Sequence, residues 1–425
     1  MKIEQSKKGL VPKLRFPEFR DAGQWETKAL SKISSRIAEK VGSQILPTVS
    51  ISAGIGFVLQ SEKFGRDISG EQYKNYIVLN YGEFSYNKGN SKKYPQGCIY
   101  KLVEFKKVAV PNAFISFRIN DEYISDFLKQ YFEVNYHGEQ LKKFISSGAR
   151  SDGLLNINPH DFFTISFPSP KKSEQQKIAD CFSSLDELIA VQIKKLESFK
   201  AYKKGLIQGL FPAEGESAPR LRFPESQGEQ GWEEKQLDAV CKFQDGYAFS
   251  STDFVDSGKN KMQVIRITDI NNRNENFEKA YVPTSLIERL DLGKYLIKEG
   301  DLLLSLTGAA GFNFFVWNCE SALINQRTMR IIIKDKQNEA LKILLEAMIS
   351  TKINIHGTGQ NNNLSKETLK NVIFRMPGPK EQQKIAGCLS SLDDLITAQT
   401  RKIEALKTHK KGLMQQLFPQ ATENI

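Results

Sequence analysis

The chain has 425 residues, 40% of them hydrophobic and 26% charged, with 60 Lys and Arg against 49 Asp and Glu and a formal net charge of +11. That is ample chain for two to four folded domains, which excludes a disordered or low-complexity protein. The basic excess suits a polyanion, whose counterions Lys and Arg displace, although a merely basic globular protein would show it too.

Residues Met1 to Lys8 are polar and lysine-bearing with no apolar run behind them, so no secretory signal is expected. Leu14-Arg15-Phe16-Pro17-Glu18 and then Trp25-Glu26 open the first half. Lys107 to Phe117 is strand-like, rich in β-branched and apolar residues, and Ile124 to Phe144 has the apolar spacing of a helix. Asn158 before Pro159 caps and opens a short helix, and Thr164 to Phe167 reads as a strand running into Pro170. Ser173 is placed to cap a long helix from Glu174 to Leu210, ended by Pro212. Its apolar positions, Ile178, Phe182, Leu185, Ile189, Leu196, Phe199 and Leu206, keep heptad register across Gln192 and Lys203.

The second half restates the first. Leu221-Arg222-Phe223-Pro224-Glu225, Trp232-Glu233, Glu381 to Ala386, Ser390 to Asp393, Lys410 to Leu413 and Leu417-Phe418-Pro419 all repeat earlier residues at one offset (221 − 14 = 207). Between these blocks the lengths match while the residues differ, which predicts one fold with two different surfaces over a shared scaffold or docking face. Asp301 to Leu306 reads as a strand and Gln337 to Ser350 as a helix. Ser365 opens a short helix and Asn371 to Phe374 is a strand before Pro377. The second long helix carries Ile385, Leu389, Leu392, Ile396, Ile403, Leu406 and Leu413, with Gln399 and Lys410 at the gaps, and Pro419 ends it. Each helix of about 37 residues would be roughly 55 Å long and must bury its stripe. The repeat is the obvious partner, in an antiparallel coiled coil whose buried Gln192 and Gln399 could fix register or be ordinary interruptions.

The expected fold class is α+β. Two pseudo-symmetric mixed domains, residues 1–170 and 213–377, are separated by long helices at 171–212 and 378–420, with a tail at 421–425. Five scattered cysteines, Cys98, Cys181, Cys241, Cys319 and Cys388, form no C-x-x-C or disulfide framework. Apolar stretches such as Leu302 to Leu306 are too short to cross a bilayer, so a cytoplasmic protein without membrane contact is expected.

The L-R-F-P-E opening with its W-E, the E-Q-Q-K-I-A helix start and the K-K-G-L to L-F-P helix end, each present twice, resemble type I restriction–modification specificity subunits. So do F-S-Y-N-K-G-N-S-K-K-Y-P in the first half and G-D-L-L-L-S-L-T-G in the second. The resemblance covers essentially the whole chain and implies a non-catalytic, sequence-specific DNA-binding subunit. Each diverged segment would be a target recognition domain reading half of an asymmetric bipartite double-stranded site. The repeated helices would space the readers and dock two methyltransferase subunits, and translocating nuclease subunits would join them. S-adenosylmethionine, ATP and Mg²⁺ would then sit on those partners, with no cofactor in this chain. A 55 Å rod spans roughly 16 base pairs, which agrees with two readers about one helical turn apart.

Base and backbone contacts need cations, amides and hydroxyls on glycine-eased loops. In the first half these are Lys88, Asn90, Ser91, Lys92, Lys93 and Tyr94, then Ser147, Gly148, Arg150 and Ser151. In the second they are Thr307 and Gly308, then Gln326 and Arg327, and the amide run Thr358, Gln360, Asn361, Asn362 and Asn363. For any single residue a solvated turn is the competing reading. Arg66, Arg118, Arg266 and Arg273 read better as surface or structural cations.

No catalytic residue or metal ligand is assigned. The chain lacks a G-x-x-x-x-G-K-[ST] loop and an N/D-P-P-Y/F tetrapeptide, and His137, His160, His356 and His409 are dispersed. Glu26-x-Lys28 and Glu233-x-Lys235 could in principle serve a metal-dependent nuclease, but packing at the entrance of each repeat is the simpler role. A stand-alone DNA-binding regulator is the remaining alternative.

Overall fold

The computed structural model describes residues 10–89, 94–145, 155–213, 215–228, 230–256, 260–267, 269, 279–306, 314–317, 319–335, 338–356 and 365–419. They form two compact units, Met1–Lys194 with Arg401–Ile425, and Lys195–Thr400. Among the described residues no helix is long and apolar enough to cross a membrane.

In the first unit, alternation of large and small residues builds an antiparallel sheet in the order Ser34–Arg36, Ile115–Ile119, Phe84–Asn87, Cys98–Lys101. Phe84 and Phe117 stack with ring centroids 5.3 Å apart on one face, while the Ser85 and Ser116 hydroxyls meet at 3.0 Å on the other. The helix Ser125–Glu133 covers the aromatic face with Phe127, Leu128, Tyr131 and Phe132. The expected helix from Ile124 to Phe144 is broken at Asn135, whose φ of +64° lies in the left-handed region that Asn tolerates and a helix does not. It resumes as Tyr136–Leu141 and a short 3₁₀ turn, Lys142–Phe144. Lys107 to Phe117 likewise divides, into strands Lys107–Val110 and Ile115–Ile119 in different sheets.

The second unit repeats the plan with Cys241–Asp245, Thr328–Ile333, Leu302–Ser305 and Phe314–Val316 in that order. A second four-stranded sheet there contains a parallel pair, Lys261–Ile265 with Ala322–Ile324. Equal segment length hides compensating insertions: first strands begin 207 apart, but the equivalent central residues Phe84 and Leu302 are offset by 218 (302 − 84). The helix expected to stop at Ser350 continues from Glu339 to His356.

Each unit is closed by a two-stranded ribbon at the same register, Glu26↔Ser169 in one and Glu233↔Met376 in the other. Asn158 accepts from the Asp161 amide and Ser365 from the Thr368 amide, as N-cap chemistry requires. The long helices run Lys172–Leu210 and Pro379–Leu417, each 39 residues. Because the first begins at Lys172, Ser173 lies inside its first turn and does not cap it; the Lys171 carbonyl accepts from the Glu174 and Gln175 amides.

Within the first unit the start of the first long helix packs beside the end of the second: Ile178 and Phe182 share a core with Met414, Leu417 and Phe418. Lys410 bonds Asp186 at 2.7 Å and Glu133 at 2.9 Å. Within the second unit the roles exchange. Leu210 and Phe211 join Ile385 and Leu389, and Lys203 bonds Asp393 at 2.6 Å. Gln192 and Gln399 are both buried, and the apolar positions picked out by the heptads are buried or half-buried.

Candidate nucleic-acid interface

The repeated blocks explain themselves at atomic level. In the first unit the Arg15 guanidinium grips Glu174 with two 2.7 Å bonds, and the Trp25 indole N–H donates to the same carboxylate at 3.3 Å. The second unit reproduces this with Arg222 on Glu381 at 2.9 Å twice and Trp232 at 3.1 Å. Both carboxylates are buried, so a forked cation and an indole replace the water they lost. The hydrogen bond to Glu174 raises the Arg15 pKa, outweighing the opposing effect of burial.

The neighbouring amide is equally engaged. Gln175 donates to the Pro170 carbonyl and accepts from the Ile124 amide, and Gln382 donates to the Pro377 carbonyl. Each opening segment is also strapped to a helix end: the Leu14 amide donates to the Gln416 carbonyl and the Leu221 amide to that of Gly209. Sequence identity at a single offset had marked these residues; their bonding could not be read from it. Glu26 pairs with Lys28 at 2.5 Å and Glu233 with Lys235 at 3.1 Å, each along one face of an exposed strand. Among the described residues no group of three His, Cys, Asp or Glu side chains is placed to hold a metal.

Of the loop residues selected from sequence, Asn90, Ser91, Lys92, Lys93, Ser147, Gly148, Arg150 and Ser151 lie outside the described residues. So do Thr307, Gly308, Thr358, Gln360, Asn361, Asn362 and Asn363. Their described flanks nevertheless come together. Lys88 and Tyr94 lie in the hairpin loop between Phe84–Asn87 and Cys98–Lys101, which closes on the pair Asn87↔Cys98. Gly97, at φ +76°, has the Asn87 carbonyl and the Tyr86 ring so close that no Cβ could stand there. The Leu155 amide, at the end of the second selected loop, donates to the Lys88 carbonyl at 3.0 Å. The bases of the two first-unit loops therefore meet.

The second unit shows the same convergence. Gln326 and Arg327 are exposed in the turn between Ala322–Ile324 and Thr328–Ile333. Gly246 lies against the Asn325 carbonyl with no room for a side chain, and the Gln326 amide bonds the Tyr247 carbonyl at 2.9 Å. The Arg327 carbonyl accepts from the Leu306 amide at 2.9 Å, immediately before Thr307. The amide run sits in the chain between the helix ending at His356 and the cap Ser365. Of the other arginines, Arg118 is engaged by buried Glu83, and the Arg266 amide bonds Asp269.

Sequence reasoning passed over His137. It is fully buried against the Phe132 ring, burial pushes its pKa down to about 3, and neither ring nitrogen has a partner. No periodicity or motif flagged it.

Comparison with known proteins places this scaffold. The chain matches the family described as Type I restriction modification DNA specificity domain over residues 60–199 and again over 229–408. It is 26% identical over 301 residues to the type I restriction enzyme MjaVIII specificity subunit of Methanocaldococcus jannaschii, covering 67% of this chain and 68% of that one. It is 25% identical over 193 residues to the EcoBI specificity subunit of Escherichia coli, covering 45% of this chain and 38% of that one. The type I S subunit from M. genitalium superimposes with a TM-score of 0.53 at 13% identity, covering 97% of this chain and 100% of that one. A chain from a structure concerned with assembly and conformational transition of the type I R-M system gives 0.53 at 16%, covering 92% and 96%. At such identities the structural likeness is one of fold. With one matched segment in each half, and most of its length inside them, the chain belongs to the type I restriction–modification DNA specificity family.

Proposed function

We propose that this chain is the DNA-reading subunit of a type I restriction–modification enzyme, recognising an asymmetric bipartite site and bringing methyltransferase and restriction subunits to it. The observation that carries the reading is a duplicated, bonded frame holding two dissimilar sheets, each of which gathers the bases of its polar loops in one place. One half-site falls to Lys88, Tyr94 and the loops they flank, the other to Gln326, Arg327 and the loops beside them. The two long helices pair antiparallel along their length and set the gap between half-sites. Chemistry belongs to the partner chains, and S-adenosylmethionine, ATP and Mg²⁺ bind there.

A heptad inserted into each long helix tests this. Seven residues add roughly 10 Å at ~1.5 Å each, or about three base pairs. Mapping methylated adenines made by the complex with its modification subunits should show the same two half-sites with a longer gap. Changed half-sites at an unchanged gap would refute the spacer role.

A further inference from the structure

The helix that covers the aromatic face of the first sheet, Ser125–Glu133, is tied to the long helices at both of its ends. At its start the Ile124 amide donates to the Gln175 side chain at 3.0 Å. At its end lies a cluster of charges drawn from three helices. Lys410 Nζ, on the second long helix, bonds Glu133 Oε2 at 2.9 Å and Asp186 Oδ1, on the first, at 2.7 Å. One turn before Glu133, Lys129 Nζ stands 3.8 Å from that carboxylate and 3.7 Å from Asp186, and the Gln130 side-chain amide donates to Asp186 at 3.4 Å. The Lys410 side chain is 13% exposed, so the cluster is partly withdrawn from solvent and salt screens it less than a surface pair.

The second unit repeats only part of this. Asn338, just before the helix Glu339–His356, donates to the Gln382 side chain at 3.1 Å, as the Ile124 amide does to Gln175. Lys203 and Asp393 hold the places of Lys410 and Asp186 in the repeat and bond each other at 2.6 Å. Among the described residues that pair joins long helix to long helix and nothing else.

Apolar packing holds a helix against its neighbours but is non-directional, whereas a charged hydrogen bond is directional. A helix bonded at one end can pivot, and one bonded at both ends cannot. We infer that Lys410, Glu133, Lys129 and Asp186 form a positioning device, which fixes the direction in which the first recognition domain leaves the long helices and thereby the strictness with which the gap between half-sites is measured. The gap belongs to the functional reading above, on which that part of the inference rests; the fixed direction stands on the bonds within the first unit. These residues act through the helix they anchor, and none of them is assigned to DNA.

The test uses the full chain in complex with its modification subunits. Lys129→Met combined with Glu133→Gln removes both charges of the recognition helix, keeps the net charge of the chain and leaves Lys410 on Asp186. Lys410→Met removes the centre of the cluster, Lys410→Arg keeps its charge, and Lys203→Met removes the pair in the second unit. Methylation rates are compared on the selected duplex and on duplexes whose gap is one base pair longer or shorter. The ratio of off-gap to cognate rate should rise several-fold in the double variant and in Lys410→Met, with the half-sites unchanged. It should return toward the wild-type value in Lys410→Arg and stay there in Lys203→Met. An equal rise in Lys203→Met would mean a general loosening of the long helices, and a uniform fall at every gap a merely structural role; either overturns the inference, as does an unchanged ratio. Amide hydrogen exchange on the same complexes is the second measurement. Exchange over Ser125–Glu133 should quicken several-fold in the double variant while the strand Ile115–Ile119 stays protected, and no difference there overturns the anchoring. A wild-type complex that selects no bipartite duplex would instead fault the DNA-reading assignment, leaving hydrogen exchange to judge the anchor.

Discussion

The two units hold the same buried clasp and fill their interiors differently. Arg15, Trp25 and Glu174 on one side and Arg222, Trp232 and Glu381 on the other meet at nearly equal distances. Around the first clasp the core is aromatic: ring contacts link Phe84, Phe117, Tyr131, Phe132 and Phe162, and Phe127 packs edge-on against Trp25. Around the second it is mostly aliphatic, built on Leu302, Leu304, Ile331, Leu341, Leu344 and Leu345. A buried carboxylate tolerates few partners, because losing one strands a charge. An apolar core asks chiefly for volume and many sequences supply it. The chemistry that must be exact in geometry has stayed constant across the duplication, and the part that can vary carries two surfaces.

The largest expected effect comes from breaking the clasps. Arg15→Ala or Arg222→Ala leaves a buried carboxylate unpaired and should cost about 3–5 kcal/mol in either half. Denaturant unfolding monitored by tryptophan fluorescence measures this, and a cost below about 1 kcal/mol in one half alone would end the equivalence of the two clasps.

Next come the helix ends. Phe418, 1% exposed, packs on Phe127 at 5.1 Å and on Tyr131 at 6.0 Å, whereas Phe211, 9% exposed, meets Trp232 at 5.8 Å. Phe418→Ala should cost about 3–5 kcal/mol, with Phe211→Ala at or below the low end of that range. The same denaturation curves decide it, and the reverse order would show that the aliphatic unit depends more on its plug than packing implies.

The smallest contrast lies in the interhelical lysines. Lys410 has two carboxylates and a side chain 13% exposed, while Lys203 has one and is 21% exposed. Burial lowers the Lys410 pKa, but the charges and hydrogen bonds of Glu133 and Asp186 outweigh it and the net shift is upward. A raised lysine stabilises the fold below its unfolded pKa near 10.5 and loses that contribution as pH climbs through the folded value. Lys410→Met should therefore cost more than Lys203→Met, about 1–3 against 0.2–1 kcal/mol at neutral pH. The difference should shrink in strongly alkaline buffer, and a pH-independent difference would assign it to packing.

Much of this was legible in the residues. A fixed offset of 207 disclosed the duplication, and heptad spacing disclosed both long helices. Asn158 and Ser365 read correctly as caps because a cap is a local bond. Local rules failed where backbone geometry depended on distant neighbours. Asn135 turns left-handed inside an apparent helix, and the strand boundaries near Thr164 and Asn371 moved two residues toward the long helices. The candidate interface was legible only as loops; that the Lys88 and Leu155 flanks meet, or those of Leu306 and Arg327, is a matter of long-range hydrogen bonds.

Repetition, period and composition are properties of order along the chain, and the sequence by itself therefore determined the duplicated scaffold, the two long helices and the family. Which carboxylate a given arginine grips, which loops share a base and where His137 is left unpartnered depend on residues many positions apart. Those were decided by tertiary structure, because burial and hydrogen-bond satisfaction are fixed only when the whole fold closes around each group.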